Sequence, residues 1–292
     1  MWIFQQLQDF VKQFLISSIT QSMTGMYDGI NTSVGTVATQ VGQSPSDWNS
    51  TIFTLVKGIA DTVIVPIAGL IIAYVLCYEL ISMLIEKNNM HEFDTWIFFK
   101  FVLKAFIAIF LVSHTLDISM AVFEVAKQVI TTTAGVITGT ETVDISAAVA
   151  NYEVQLQTMD IGALIGIAIQ IKVLSFIMGI MSVVVTVLLY GRMLEIYLYL
   201  SVAPIPFATF TNREWGTMGN NFLRALLALA FQGFFMLVCV GAYSALVVNY
   251  MSSGFSGTDF NGSLLGILAI TAVLIVMLFK SGSISKSIFN AH

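Results

Sequence analysis

The stretch LYGRMLEIYLYLSVAPIPFATFTNREWGTMGNNFLR, residues 189–224, sets an arginine and a glutamate, Arg192 and Glu195, one helical turn apart inside apolar sequence. A Pro-x-Pro break follows at Pro204 and Pro206, then a short polar turn, Thr211-Asn212-Arg213-Glu214-Trp215-Gly216, and Arg224 leads into another apolar run. Ionisable groups at membrane depth are expensive and usually face protein or water, not lipid. Upstream, residues from Ile161 to Phe210 are almost unbroken apolar sequence, with Lys172 the only other charge. As one helix, 161–208 would run about 72 Å, against a hydrocarbon core of roughly 30 Å. The stretch is therefore two spans with a tight turn near Gly191, or one long helix that leaves the bilayer or breaks at Pro204.

Composition sets the class. Of 292 residues, 57% are hydrophobic and only 10% charged, whereas a soluble domain carries about 25% charged residues. The chain reads as an all-α polytopic membrane protein. Its formal net charge of −5 argues against a general or sequence-specific nucleic-acid-binding surface. Cys77 and Cys239 lie in apolar runs and read as small buried hydrophobes, with no metal spacing.

Residues 1–51 read as an amphipathic, extracytoplasmic or interfacial region. Ile3, Leu7, Phe10 and Phe14 share one helical face with Phe4, Val11 and Leu15, while Gln5, Gln6, Asp9, Lys12 and Gln13 share the other. This pattern suits a helix lying in the membrane interface or against a partner. Residues 17–50 are rich in Ser, Thr, Gly and Gln, and Pro45 reads as a stop. Gly25 and Gly29 either let another backbone approach or belong to a loop.

Residues 52–292 read as the transmembrane domain, with spans at about 62–85, 95–116, 161–208, 222–249 and 263–280. Pro66 falls near the start of the first span, where a missing donor is tolerated, and Glu79 near its far end can snorkel to the interface. Lys100 and Lys104 share a face of the second span. His114 and Asp117 at its end read as a solvated helix end. The loop at 117–160 is the most acidic, with Glu141, Asp144, Glu153 and Asp160. Within it Ile145, Ala148, Val149, Tyr152, Leu156 and Met159 recur at helical spacing and predict a second amphipathic helix.

Charge placement favours a single crossing by 161–208. Lys87, Arg213, Lys280 and Lys286 then fall on one side, with Lys100, Lys104 and Arg224 just inside the adjoining spans. The acidic 117–160 loop and the 251–262 loop, which carries Asp259, fall on the other. The positive-inside rule then puts the N-terminus outside and the C-terminus in the cytoplasm after five crossings.

Arg192 and Glu195, at i and i+3, can neutralise each other. They are either a structural ion pair fixing a bend or subunit contact, or part of a polar constriction lining a passage. Lys172 has no evident partner and either faces a lumen or snorkels. Gly162 with Gly166, and Gly262 with Gly266, have the small-xxx-small spacing of helix contacts. Gly254-Phe255-Ser256-Gly257 looks like the nucleophile motif of rhomboid-type proteases, but that chemistry needs a base within reach, and only His292 follows. With no P-loop, HExxH, GxGxxG or Cys/His cluster, no enzymatic activity, cofactor or metal is expected.

The segments GRMLEIYLYLSVAPIPFATF and TNREWGTMGNNFLRALLALAFQGFFMLV resemble the TrbL-like family of polytopic inner-membrane subunits of type IV secretion and conjugation machines. An Arg-x-x-Glu in a long apolar helix (Arg192, Glu195), a Pro-containing tail (Pro204, Pro206), an Arg/Trp turn (Arg213, Trp215) and Arg224 before another span carry the likeness. The resemblance implies a multi-pass, non-enzymatic subunit of a bacterial cytoplasmic membrane. It would form a homo-oligomer and form or scaffold a translocation channel. Partners would be the machine's ATPases, a small bitopic subunit and the coupling protein, with single-stranded DNA and its relaxase, or effector proteins, as cargo. The rival reading is a stand-alone transporter or ion channel using Arg192, Glu195 and Lys172.

Overall fold

In a computed structural model the chain is described over residues 2–86, 95–138, 146–212, 214–254 and 260–291, and among these it is helical with short turns. The order is α1 (Trp2–Val41), α2 (Pro45–Trp48), α3 (Ser50–Ile59), a π turn (Ala60–Ile64), α4 (Val65–Glu86), α5 (Thr95–Ser113), α6 (Thr115–Thr138), α7 (Ser146–Thr158), α8 (Ile161–Val202), α9 (Pro204–Ala208), α10 (Gly216–Gly254) and α11 (Phe260–Ile288). Lys87, Glu141, Asp144, Arg213, Ser256, Asp259 and His292 lie outside the described residues.

Among the described residues, five helices are long and apolar enough to cross a membrane: Ser50–Met83, Thr115–Ile137, Ile161–Val202, Gly216–Val247 and Leu265–Ile288. The chain is a multi-pass membrane protein. One of these lies outside the spans read from sequence. Thr115–Ile137, assigned above to the exterior loop 117–160, is one of the five, and the segment read as the second span forms the 19-residue apolar helix α5. The polar Glu124, Lys127 and Gln128 drew that stretch toward the loop, yet the apolar residues between them are sufficient for a span.

Two open alternatives are decided and one expectation changes. Gly25 and Gly29 are not loop residues, because α1 continues to Val41. Ile16, Ile19, Met23 and Met26 form a buried stripe at three- and four-residue spacing, and the hydroxyls of Thr20, Ser22, Thr24 and Thr39 donate to carbonyls four residues back. A Ser/Thr-rich stretch can stay helical when its hydroxyls are satisfied in this way. The 161–202 stretch is a single 42-residue helix, about 63 Å long, with no turn at Gly191. Pro66 is interior, not initial, since the helix begins at Ser50 with the Asn49 side chain accepting from Ile52 N–H at 3.0 Å. A proline there removes a donor and crowds the preceding turn. The π turn just before it, where Val65 N–H reaches back to Ala60 O, gives the chain room.

The chain forms two compact units, to which α6, α8, α10 and α11 each contribute residues. The first comprises residues 1–41, 131–189 and 235–280. In it α1 packs on α7, whose Tyr152 and Leu156 are buried; α7 is the helix expected from the 145–159 periodicity. Tyr250 donates to Gly262 O at 3.1 Å, and Gly266 lies directly under the Tyr250 ring. That glycine pair serves a contact within the chain. Gly166 has nothing within 4 Å.

The second unit comprises 42–130, 190–234 and 281–292. Here α8 stops because Pro204 has no N–H for the Leu200 carbonyl; Ala203 N–H takes that carbonyl instead, at 3.4 Å. The short α9 that follows packs on both α4 and α5, with Phe207 and Ala208 buried among Ala68, Ile72, Ala108 and Val112. The chain then turns on Asn212, whose side-chain oxygen accepts from Glu214 N–H at 2.8 Å and Trp215 N–H at 2.9 Å. Trp215 stacks on Tyr74 at 5.4 Å, and Tyr78 OH donates to Glu214 at 2.8 Å.

Gly219 closes this corner. A Cβ there would sit 2.8 Å from both the Pro206 carbonyl oxygen and the Phe210 ring. Gly219→Ala should therefore cost about 1–3 kcal/mol through overpacking, read as a lower unfolding midpoint in detergent. Gly58→Ala, in a helix position with nothing within 4 Å, should instead gain about 0.5–1 kcal/mol.

Candidate functional site

Along the last turns of α8, residues Leu189, Arg192, Met193, Ile196, Tyr197 and Leu200 are all buried. Their spacing is that of one helical stripe facing a core. Arg192 therefore occupies a position that the pattern gives to apolar residues, and only 5% of it is exposed. Glu195 lies at the flank of the stripe, so the two side chains meet different neighbours although they are three residues apart.

The Arg192 guanidinium faces α10. Its Nη2 is 3.5 Å from the carbonyl oxygens of both Leu229 and Ala230, at the outer edge of hydrogen bonding compared with the usual 2.7–3.2 Å. Its Nε is buried without a hydrogen-bond partner. The same turn of α10 takes other polar groups. Ser285 Oγ, fully buried on α11, donates to Ala228 O at 2.6 Å. Gln232 Nε2 approaches Ser281 Oγ at 3.5 Å, while Gln232 Oε1 is buried and unsatisfied. Helix carbonyls keep a second lone pair after forming their ladder bonds, and this turn uses it repeatedly. The result is a polar seam inside an apolar bundle, carrying one full positive charge.

The pairing expected from sequence between Arg192 and Glu195 is not made. Glu195 instead accepts from Lys286 Nζ at 3.2 Å, with both side chains about two-fifths exposed. Lys286 lies in the last turn of α11, where a cation also suits the helix dipole. Glu79 does not snorkel; it is a mostly buried partner of Lys104 across α4 and α5. This pair joins residues 25 positions apart, beyond the reach of local spacing rules. Cys77 is exposed and Cys239 half-buried, so neither is the buried hydrophobe expected, because the helix faces that carry them are not covered by the chain itself.

The corner before α3 docks on α8 beside the arginine. Tyr197 OH donates to Pro45 O at 2.7 Å, and Trp48 meets Tyr190 edge-on at 5.1 Å. Asp47 pairs with Lys127 at 2.6 Å, and that hydrogen bond holds its carboxyl below the ordinary value of 3.8.

The other residues singled out in the sequence are dispersed. Pro204 and Pro206 form α9, Trp215 belongs to the clamped turn, Arg224 is exposed on α10, and Lys172 is exposed in the first unit. The seam residues Gln232, Ser281 and Ser285 escaped the sequence reading; their only signal was polarity inside apolar runs.

Two outcomes follow. Arg192→Met should leave stability unchanged or raise it by about 1–4 kcal/mol, as when a buried charge gives way to an apolar side chain of similar volume, whereas loss of a true buried ion pair would cost about 3–5 kcal/mol. Unfolding midpoints in detergent distinguish these. For Asp47 the folded pKa is depressed, so its contribution is present above the ordinary value and lost as pH falls through the folded one. Asp47→Asn should lower stability by about 0–1 kcal/mol. That gap should hold down to pH 3.8 and close below it.

A family model described as TrbL/VirB6 plasmid conjugal transfer like protein matches residues 30–204. The match takes in Arg192, Glu195 and Pro204 and ends before Pro206, Trp215 and Arg224, so it rests mainly on the N-terminal two thirds and not on the 189–238 motif alone. No curated protein and no solved structure matches the chain. With more than half its length under that match and five helices able to cross a membrane, the chain belongs to the TrbL/VirB6-like family of plasmid conjugal transfer proteins.

Proposed function

We propose that the protein is a non-enzymatic, oligomeric subunit that forms or scaffolds the translocation channel of a conjugation machine in a bacterial cytoplasmic membrane. Family membership together with five apolar helices carries the reading. Partner ATPases supply the energy, and single-stranded DNA with its attached relaxase is cargo, not a sequence-specifically bound ligand. Assembly has available surface. Between 17% and 28% of four spans is buried within the chain, against 50% for Gly216–Val247, so most of four helices is left for lipid or neighbouring subunits.

The N-terminus lies outside and the C-terminus in the cytoplasm. With either α5 or Thr115–Ile137 as the second crossing, every later loop keeps the same side. Lys100, Lys104, Lys280 and Lys286 stay near one side, and Glu153 and Asp160 near the other, as the positive-inside rule requires. The stand-alone transporter reading is weaker, because its candidate residues are not gathered: Glu195 engages Lys286, and Arg192 faces α10 carbonyls.

The test is transfer frequency from a donor lacking the gene, complemented with wild type or Arg192→Met, with protein levels measured in parallel. Deletion should abolish transfer and wild type restore it. Arg192→Met should accumulate normally and transfer at least an order of magnitude less often. Unchanged transfer on deletion would overturn the reading.

A further inference from the structure

The first unit contains a cavity of about 740 Å³ between α1 and α8, closed on a third side by α10 and α11. Its lining runs from Gln21 to Val37 on α1 and from Lys172 to Val185 on α8. The two helices are parallel here, with Ser33 Oγ donating to Ser182 Oγ at 3.2 Å. Sixteen residue steps along α1 make a groove about 24 Å long.

The groove is chemically asymmetric. Lys172, Ser175, Gln21 and Ser22 stand at one end, and Val34, Val37 and Val185 at the other. No carboxylate lines it, and Lys172 has no ion pair among the described residues. Ser175, one turn along the same face, has a buried Oγ with no hydrogen-bond partner. Most other hydroxyls of the lining are already engaged: Tyr243 with Thr271 at 2.9 Å, and Ser22 with Ser18 O at 2.8 Å. What remains free is a cation and an adjacent O–H, two donors without an acceptor, at the head of an apolar trough.

The glycines point the same way. Gly25, Gly29 and Gly179 line the groove, and a Cβ on any of them would meet nothing within 4 Å. Glycine is a poor helix former, and no neighbour within the chain requires its small size at these positions. Gly35, Gly58, Gly69, Gly135, Gly166 and Gly191 are equally open outside the groove; within it, the missing side chains leave the helix backbones bare to an occupant.

We propose that this groove holds one anionic phospholipid, its phosphate at Lys172 and an acyl chain running toward Val37 and Val185. The length suits a headgroup plus the hydrocarbon of one leaflet, half of a core of roughly 30 Å, and the Lys172 ammonium can meet a phosphate as a point charge. A helix from a second copy fits the small-residue spacing but would leave Lys172 unneutralised unless it carried a carboxylate. The proposal does not depend on the transfer role.

The test uses the full chain, purified in detergent and equilibrated with phosphatidylglycerol or phosphatidylcholine of identical acyl chains, with one-to-one adducts counted by native mass spectrometry. Wild type should retain phosphatidylglycerol several-fold better. Lys172→Gln should erase the preference and Lys172→Arg keep it. Gly29→Leu, projecting into open space in a helix, should reduce retention of both lipids. Equal retention by wild type, or a preference surviving Lys172→Gln, overturns the proposal. So does a Gly29→Leu variant that loses a dimer while binding lipid normally, which would assign the groove to a second copy. Competition by inorganic phosphate alone, with no lipid adduct, would likewise overturn it.

Discussion

The missing N–H of Pro204 is the constraint on which the second unit depends. A helix as apolar as α8 has no other reason to stop where it does, and without the break Phe207 and Ala208 would continue along its axis. With the break they pack against α4 and α5. The turn on Asn212 follows, Trp215 is laid against Tyr74, and α10 begins close enough for Gly219 to meet the Pro206 carbonyl. Each step is short in sequence and tightly packed, so one absent donor is converted into a fixed corner between four helices.

That corner leads α10 back along α8 and brings its 228–232 turn opposite Arg192. The guanidinium found there is poorly satisfied by ordinary standards, with two contacts at 3.5 Å and an orphan Nε. Arginine does not escape burial by losing its proton, so the charge persists. Burial of such a group is weak evidence for stability and better evidence that something other than stability retains it. In a membrane protein, an incompletely neutralised cation at a helix seam can be completed by a neighbouring polar group.

Much of the architecture was legible because apolar periodicity is local. The α7 helix with Tyr152 and Leu156 inward, the break at Pro204 and the expense of Arg192 all follow from residues within one or two turns of each other. What was not legible is long-range or concerns environment. Glu195 finds Lys286 across 91 positions, and Glu79 finds Lys104 across 25. A rule based on i, i+3 spacing proposes Arg192 for Glu195 and cannot see that a 60° difference in direction sends one into the core and the other to its edge. The helix at 17–41 was hidden for a different reason: Ser and Thr favour turns only when their hydroxyls lack a better acceptor, and here the preceding turn provides one.

Glycine makes the same point about environment within a single chain. Gly219 and Gly266 are small because a carbonyl or a ring from this protein occupies the space where a Cβ would go. Gly25, Gly29 and Gly179 are small with nothing there. Sequence writes both cases with the same letter, and small-xxx-small spacing does not separate them. Only the packed structure does, by showing which glycines are explained by contacts within the chain. Gly58 and Gly166 are equally open; what sets Gly25, Gly29 and Gly179 apart is their place beside Lys172 in one groove, where open space and an unpaired charge occur together.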